Sequence, residues 1–362
     1  MLTEHLFGKR LYLMLLIIMG GWASLPTHAA VILQYHHISD ETPDSTSTSV
    51  KRFTRHLEYL DEHQFDVVAL PALISGLKRG QAFADKTVAI TFDDGYRSVY
   101  DTAFPLLREH GFAFTVFVNS APIDQGSEEF VTWPELQEMS KAGATIANHT
   151  MSHPYMVRLL PDETDAQWRE RITAEITGAE QAIASHIDQS VKLLAYPYGE
   201  FDESLKALLQ ELGFAGFGQH SGPVGVDSDV LALPRFPMGG DFGTQDSFIT
   251  KINTRALPIK RRQLMDDQDK PLQSAVVVAG SRPRLQLTLD SPALAARLTC
   301  YLGGKELSVA LEDATVTVMP AQALKPGRSR YNCTARADDG RYYWFSQPWL
   351  VTGEQGQWQH ES

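Results

Sequence analysis

The chain has 362 residues, 43% of them hydrophobic and 10% aromatic, with two cysteines and 32 basic against 44 acidic side chains, a formal charge of −12. This composition excludes a disordered, collagen-like or disulfide-dense polypeptide, and the length suits one large α/β domain plus something smaller. The negative charge argues against a nucleic-acid binder that works by neutralising phosphates.

Lys9 and Arg10 precede an apolar run over residues 11–19, and Thr27-His28-Ala29 supplies a small-x-small ending. Residues 1–29 therefore read as a signal peptide. The run is shorter than the roughly 20 residues of a membrane span; an uncleaved N-terminal anchor is the alternative. No cysteine follows the run, which argues against lipoprotein processing. On this reading the protein is exported, periplasmic or secreted, with no transmembrane segment after signal removal.

Residues 30–255 alternate short apolar runs with amphipathic ones. The runs at 31–36, 67–70, 88–94, 112–118, 144–148, 193–198 and 214–219 are strand-like. Between them, Phe53, Leu57 and Leu60 share a helical face, as do Ile172, Ile176, Ala179 and Ile183, and then Leu205, Leu208, Leu209 and Leu212. Thr132-Trp133-Pro134-Glu135 has the form of a capping box with proline at the first helical position, and Gly111 and Gly143 are helix stops. Strands buried on both faces with helices between them imply a parallel sheet, and about seven repeats imply a barrel.

The pattern changes after Lys260-Arg261-Arg262. Residues 256–271 read as a linker and 272–353 as a small β-sandwich, with strands at 275–279, 284–289, 296–302, 315–319, 330–337 and 342–345, followed by a polar tail at 354–362. Tyr331 stands two residues before Cys333, the tyrosine-corner spacing of immunoglobulin-like sandwiches, and that topology is a further expectation. In an exported protein Cys300 and Cys333 have only each other to pair with; two buried free thiols are the alternative. The aromatic run Tyr342-Tyr343-Trp344-Phe345, with Trp349, suits either a core or a binding face.

The chemistry is concentrated in the first domain. Thr91-Phe92-Asp93-Asp94-Gly95 ends a strand, where barrels place active sites, and adjacent carboxylates pointing differently could divide metal binding from base catalysis. His149 and His153, four residues apart after another strand, could share a cation, and a carboxylate would complete a three-ligand set with one position open to water. Alone this histidine spacing also suits surface or capping residues. Tyr196-Pro197-Tyr198-Gly199 could fix a backbone N–H as an oxyanion donor, or be a tight turn with aromatic packing.

Together and in this order, these pieces resemble the polysaccharide deacetylase (NodB-homology) domain, carbohydrate esterase family four, over roughly residues 31–240. Gln34-Tyr35-His36-His37 and residues 53–70 resemble the subgroup of exported exopolysaccharide deacetylases. The resemblance implies a distorted (β/α) barrel and metal-dependent deacetylation of N-acetylhexosamines in a glycan. Asp93 would be the base acting on metal-bound water, Asp94, His149 and His153 the metal ligands, and Tyr198 the oxyanion donor. Zinc suits two imidazoles and a carboxylate, as do other divalent transition metals. The family's third motif begins with an arginine where this chain has Ala195; Arg235 is the substitute candidate. The family's final Leu-x-His run is missing, so the general acid is His220, just past a strand, with His36 as competitor. Trp133, Tyr155 and Pro197 are candidate substrate contacts. An O-acetyl esterase or peptidoglycan deacetylase on the same scaffold is the alternative, and a non-catalytic glycan-binding or export-assembly protein is a third reading. The second domain is a candidate for contacts with glycan, exopolysaccharide or other cell-envelope components.

Overall fold

Each residue of β1 (Val31–Tyr35) is buried, as a strand covered on both faces requires. The same holds for β2 (Thr87–Phe92), β3 (Phe114–Val118), β4 (Thr145–Asn148), β5 (Leu193–Ala195) and β6 (Ala215–Phe217). The computed structural model describes residues 29–188 and 190–358. Residues 1–28 of the expected signal peptide and 359–362 of the expected tail lie outside the described residues.

These strands and β7 (Phe236–Pro237) form one parallel sheet in the order β7-β1-β2-β3-β4-β5-β6. A bridge between Phe217 and Leu233, just ahead of β7, draws the two ends of the sheet together. Here is the distorted (β/α) barrel that the alternation implies. The strand expected at 67–70 is shorter: Asp66–Val67 pairs with the start of β2, and a helix begins at Leu70. Strand β7 carries no apolar run to announce it, being two residues long and containing a proline.

Alternation divides the strands between two cores. Ala30, Ile32, Ala89, Phe117, Ala147, Ala195 and Phe217 pack in the barrel interior. Val31, Leu33, Ile90, Phe92, Val116 and Ile146 pack outward against α1 (Val50–Glu62), α3 (Phe104–His110), α4 (Trp133–Lys141) and the C-terminal end of α5 (Asp165–Ile187), while α2 is Leu70–Lys78. The capping box at Thr132 and Glu135 is present, with Pro134 in the first turn, and Gly111 ends α3 in the left-handed conformation. Helices α6 (Glu203–Leu212) and α7 (Gln245–Ile252) complete the barrel layer. Among the described residues no helix is long and apolar enough to cross a membrane.

The stretch read as a linker is structured. Strand β8 (Arg255–Ala256) joins one sheet of the second domain and β9 (Ile259–Met265) joins the other. The first sheet runs β8-β17-β16-β12-β13, with β10 (Val276–Val278) also pairing β17; β12 is Thr299–Leu302, β13 Lys305–Glu306, β16 Gly327–Arg336 and β17 Tyr342–Thr352. The second runs β9-β11-β15-β14, from β11 (Arg284–Leu289), β14 (Ser308–Glu312) and β15 (Thr315–Met319). Leu285, Leu287, Leu289, Val316 and Val318 of one sheet share a core with Tyr331, Cys333, Ala335 and Trp349 of the other, so the sandwich is as expected. The immunoglobulin-like details are not. Cys300 and Cys333 are disulfide-bonded, but as directly opposed residues of neighbouring strands β12 and β16 in one sheet, not as a staple between sheets. Tyr331 donates to the carbonyl of Pro283, far upstream, instead of closing a local corner.

Histidines in helical stretches are expected to be solvated; His63 and His186 are exposed and His110 half-buried, but one departs from this. His56 lies on the face with Phe53, Leu57 and Leu60 and is fully buried, stacked on Phe248. Its Nε2 lies 2.9 Å from the Gly243 carbonyl, which can only accept, so Nδ1 accepts from the Tyr35 hydroxyl at 3.0 Å. The ring is thus neutral, and burial pushes its pKa down to about 3. The unfolded chain binds a proton near pH 6.5 and the folded one does not. Stability is therefore complete above pH 6.5 and falls as the pH drops towards 3. Denaturant midpoints measured from pH 7 to 4 should decline in the wild type and less steeply in His56→Gln; identical slopes would show that His56 contributes nothing to this loss.

Candidate active site

Register places the chemistry at the carboxyl ends of the strands. Tyr35 pairs with Phe92, and the Asp93 N–H donates to the Tyr35 carbonyl at 2.9 Å, so β1 sets the exit of β2. The Asp93 carboxylate is fully buried. Arg235, also fully buried, donates from Nη1 to Oδ1 at 2.6 Å and from Nη2 to Oδ2 at 2.8 Å. Gln34 adds Nε2 to Oδ2 at 2.7 Å. Arg235 is itself fixed, donating through Nε to the Gly218 carbonyl and through Nη1 to Thr91 Oγ1. Burial pushes the Asp93 pKa up, but the Arg235 charge, then His149 and the Arg235 hydrogen bonds, outweigh it and hold the carboxyl below its usual range.

Asp94 turns away from Asp93, because its backbone is left-handed at φ 70°; Gly95 follows at φ 76°, where an added Cβ would meet Val118 at 3.1 Å. Its Oδ1 lies 3.2 Å from His149 Nε2 and 3.5 Å from His153 Nε2. The candidate ligand atoms of Asp94, His149 and His153 all lie within 4.8 Å of one another. His149 Nδ1 is 2.7 Å from the Ala195 carbonyl, an acceptor, so in the neutral ring the proton sits on Nδ1 and the Nε2 lone pair is exposed to the cluster. That Nε2 is buried and, although near Asp94, is not aligned for a hydrogen bond with it. Two imidazole nitrogens and a carboxylate fit a divalent transition metal with an open position.

The loop carrying the histidines is held by residues that no motif singles out. Glu175 on α5 accepts from the N–H groups of Met151 and Ser152 and from the Ser152 hydroxyl. Asn148 accepts from the Thr150 N–H and donates to the Ile176 carbonyl and to Glu180. Asn119 donates to the His149 carbonyl. A helical pattern gives no hint that Glu175 and Glu180 face a loop, and only Asn148, next to His149, had a local signal.

The remaining candidates divide. His36 comes to the site: its Nε2 is 4.0 Å from Asp93 Oδ2, with 19% of the side chain exposed. Tyr198 stands at φ 59°, ψ 1° in the turn Pro197–Gly199, its ring 3.9 Å from that of Tyr155 and 4.5 Å from that of His153. Pro197 is buried beneath this turn. Burial, with Tyr155 and Asp94, pushes the Tyr198 phenol up to about 12. Tyr96, stacked on His37 at 3.6 Å, faces Asp94, and burial with the Asp94 charge raises its pKa too. His220 shares a small cavity with Tyr198, Gly199 and Arg328 instead of joining the Asp94, His149 and His153 cluster. It lies buried where the barrel meets the sandwich, beside Phe201, and burial with Arg330, Arg262 and Arg235 pushes its pKa down to about 3. Trp133 also stands apart, donating to Asp124 and stacking on His186.

Residues 80–217 match the family model described as polysaccharide deacetylase, a stretch that contains Asp93, Asp94, His149, His153 and Tyr198 but not His36, His220 or Arg235. YxkH of Bacillus subtilis (strain 168) is 26% identical over 205 residues, covering 56% of this chain and 69% of that protein. The poly-beta-1,6-N-acetyl-D-glucosamine N-deacetylase of Escherichia coli (strain K12) is 24% identical over 245 residues, covering 58% of this chain but only 36% of that protein. Among solved structures, Streptococcus pyogenes deacetylase PplD matches with a TM-score of 0.55 at 21% identity, over 62% of this chain and 98% of that one, a likeness of fold. The resemblance to the polysaccharide deacetylases, and to their exopolysaccharide-modifying branch, thus extends beyond the motifs.

The Asp93 environment has a thermodynamic test. Removing the guanidinium strands a buried carboxylate, so Arg235→Met should cost about 3–5 kcal/mol in denaturant unfolding, and adding Asp93→Asn should recover part of that loss. Additive losses in the double variant would mean that the pair is not coupled.

Proposed function

We propose that this polysaccharide-deacetylase-like chain is an exported, metal-dependent N-deacetylase acting on N-acetylhexosamine residues of a glycan. The observation that carries the reading is the juxtaposition of an ionised, hydrogen-bonded Asp93 with the Asp94, His149 and His153 cluster at the ends of β2 and β4. Bound by Asp94, His149 and His153, a divalent cation, zinc by preference for this donor set, would supply Lewis acidity to the acetyl carbonyl and lower the pKa of attacking water towards ~7.

The chain's own groups supply the rest. Asp93 accepts the proton of the attacking water; a carboxylate held below its usual pKa is a weak base, which is why it needs water already made acidic. The Tyr198 N–H donates to the oxyanion that develops on the carbonyl oxygen. An amine leaves only when protonated, and His36, partly exposed beside Asp93, is the acid in this reading. An imidazole with a pKa near 3 is not protonated at neutral pH, which speaks against His220 in that role. Tyr155, stacked on Tyr198, offers an aromatic face for a sugar ring. The second domain would contact glycan or another envelope component.

Acetate release from β-linked N-acetylglucosamine oligomers, from O-acetylated glycans and from peptidoglycan decides among the substrate classes. We expect release from the oligomers, its loss with chelator and its recovery with zinc. Asp93→Asn and His36→Ala should each lower kcat by about 10²–10⁴, while His220→Ala, if folded, should stay near wild type. Release confined to O-acetylated glycans would replace the N-deacetylase reading with an esterase, and activity indifferent to chelator and to Asp93→Asn would remove the mechanism.

A further inference from the structure

The Pro197–Gly199 turn is gripped from two domains. From the barrel side, the Gly199 N–H donates to the Tyr196 carbonyl at 2.8 Å and the Glu200 N–H to the Pro197 carbonyl at 3.3 Å. Gly199, at φ 69°, is pressed so close to the next strand that an added Cβ would meet Gln219 N at 2.7 Å. From the sandwich side, Arg328 on β16 donates from Nη1 to the Tyr198 carbonyl at 2.9 Å. Its guanidinium lies 5.7 Å from the Tyr198 ring centroid, and its Nε is 3.9 Å from Glu200 Oε1. The Glu200 carboxylate is buried and also receives Arg158, at 2.7 and 3.2 Å.

This grip falls on a residue whose backbone needs one. A left-handed conformation costs a non-glycine residue on the order of 1–2 kcal/mol and persists only where its surroundings over-determine it. Relaxing Tyr198 to negative φ turns the Pro197–Tyr198 peptide, which carries the Tyr198 N–H, relative to the Tyr198–Gly199 peptide, which carries the carbonyl that Arg328 holds. With that carbonyl pinned, the Tyr198 N–H keeps its direction against a fixed reference. The sandwich is seated firmly enough to hold that arginine in place: Leu350 packs into the cluster with Leu194, Tyr196 and Leu205, Trp344 meets Phe236 edge-on at 5.2 Å, and Arg341 pairs with Asp85 at 2.7 Å.

We propose that Arg328 is a positioning residue for the Tyr198 oxyanion donor, so that the second domain completes the active site instead of merely accompanying it. The inference rests on the role proposed above for Tyr198, and its test has a readout that does not. In the full chain, hydrogen–deuterium exchange of peptides spanning residues 194–202 should be several-fold faster in Arg328→Ala than in wild type, with exchange elsewhere and the thermal midpoint unchanged. For acetate release, kcat should fall about tenfold, a fraction of the cost of losing an oxyanion donor outright, with KM within about twofold, and Arg328→Lys should restore part of both effects. Wild-type exchange in this turn, or faster exchange with wild-type kcat, overturns the proposal, as does a kcat loss that tracks a lowered thermal midpoint. If the wild type releases no acetate from any glycan, the deacetylase reading fails, and exchange alone then decides whether Arg328 holds the turn.

Discussion

A carboxylate with no exposed surface sits at the exit of β2, and the barrel around it is arranged to make that tolerable. Left alone, such a charge would cost several kcal/mol in desolvation. Asp93 instead accepts two hydrogen bonds from Arg235 and one from Gln34. These three residues belong to β2, the approach to β7, and β1, which are neighbours in the sheet, and Arg235 also reaches the Gly218 carbonyl beyond β6. The network is therefore a brace across the part of the barrel closed by β7, which is only two residues long. Placement of the Asp93 carboxylate and closure of the fold are one constraint.

A second constraint runs through the backbone. Asp94, Thr150, His153 and Tyr198 all have positive φ, between 58° and 70°, although none is glycine. Each such residue is strained, and each lies where a strand must hand its side chain or its N–H to the site. What holds them is local and specific: Asn148 takes the Thr150 N–H, Thr150 Oγ1 the His153 N–H, and Glu175 the two N–H groups between. A loop with fewer acceptors would relax, and the two imidazoles would part.

Which residues were legible follows from the range of their interactions. Asp93, Asp94, His149 and His153 could be read because the ligand pattern is local, two carboxylates in one dipeptide and two histidines in one turn. Arg235 was a guess from a gap, and the contact that justifies it spans 142 residues of sequence. Glu175 and Arg328 act across 24 and 130 residues and carry no pattern of their own, and Gln34, within the Gln34-Tyr35-His36-His37 run, reaches Asp93 across 59. His56 had a readable signal, its position on the Phe53, Leu57 and Leu60 face, but its ionisable ring made it look like a surface residue. Strand β9 is hidden for the opposite reason: Ile259–Met265 is an edge strand that opens with three consecutive exposed cations, so it resembles a linker.

Charge balance ties the brace to the ligand cluster. Asp93 and Asp94 are two carboxylates on adjacent residues, and Arg235 neutralises one of them, leaving one negative charge beside His149 and His153. That charge acts on the imidazoles. Burial alone would lower the His149 pKa, but Asp94 and Asp93 outweigh it and raise it. A divalent cation held at the same place would balance that charge while leaving Nδ1 bonded to the Ala195 carbonyl. Asp93 would lose little by this, since its own partners are the guanidinium and Gln34. The arginine is thus what allows two neighbouring aspartates to differ, one committed to the brace, the other left facing the two imidazoles.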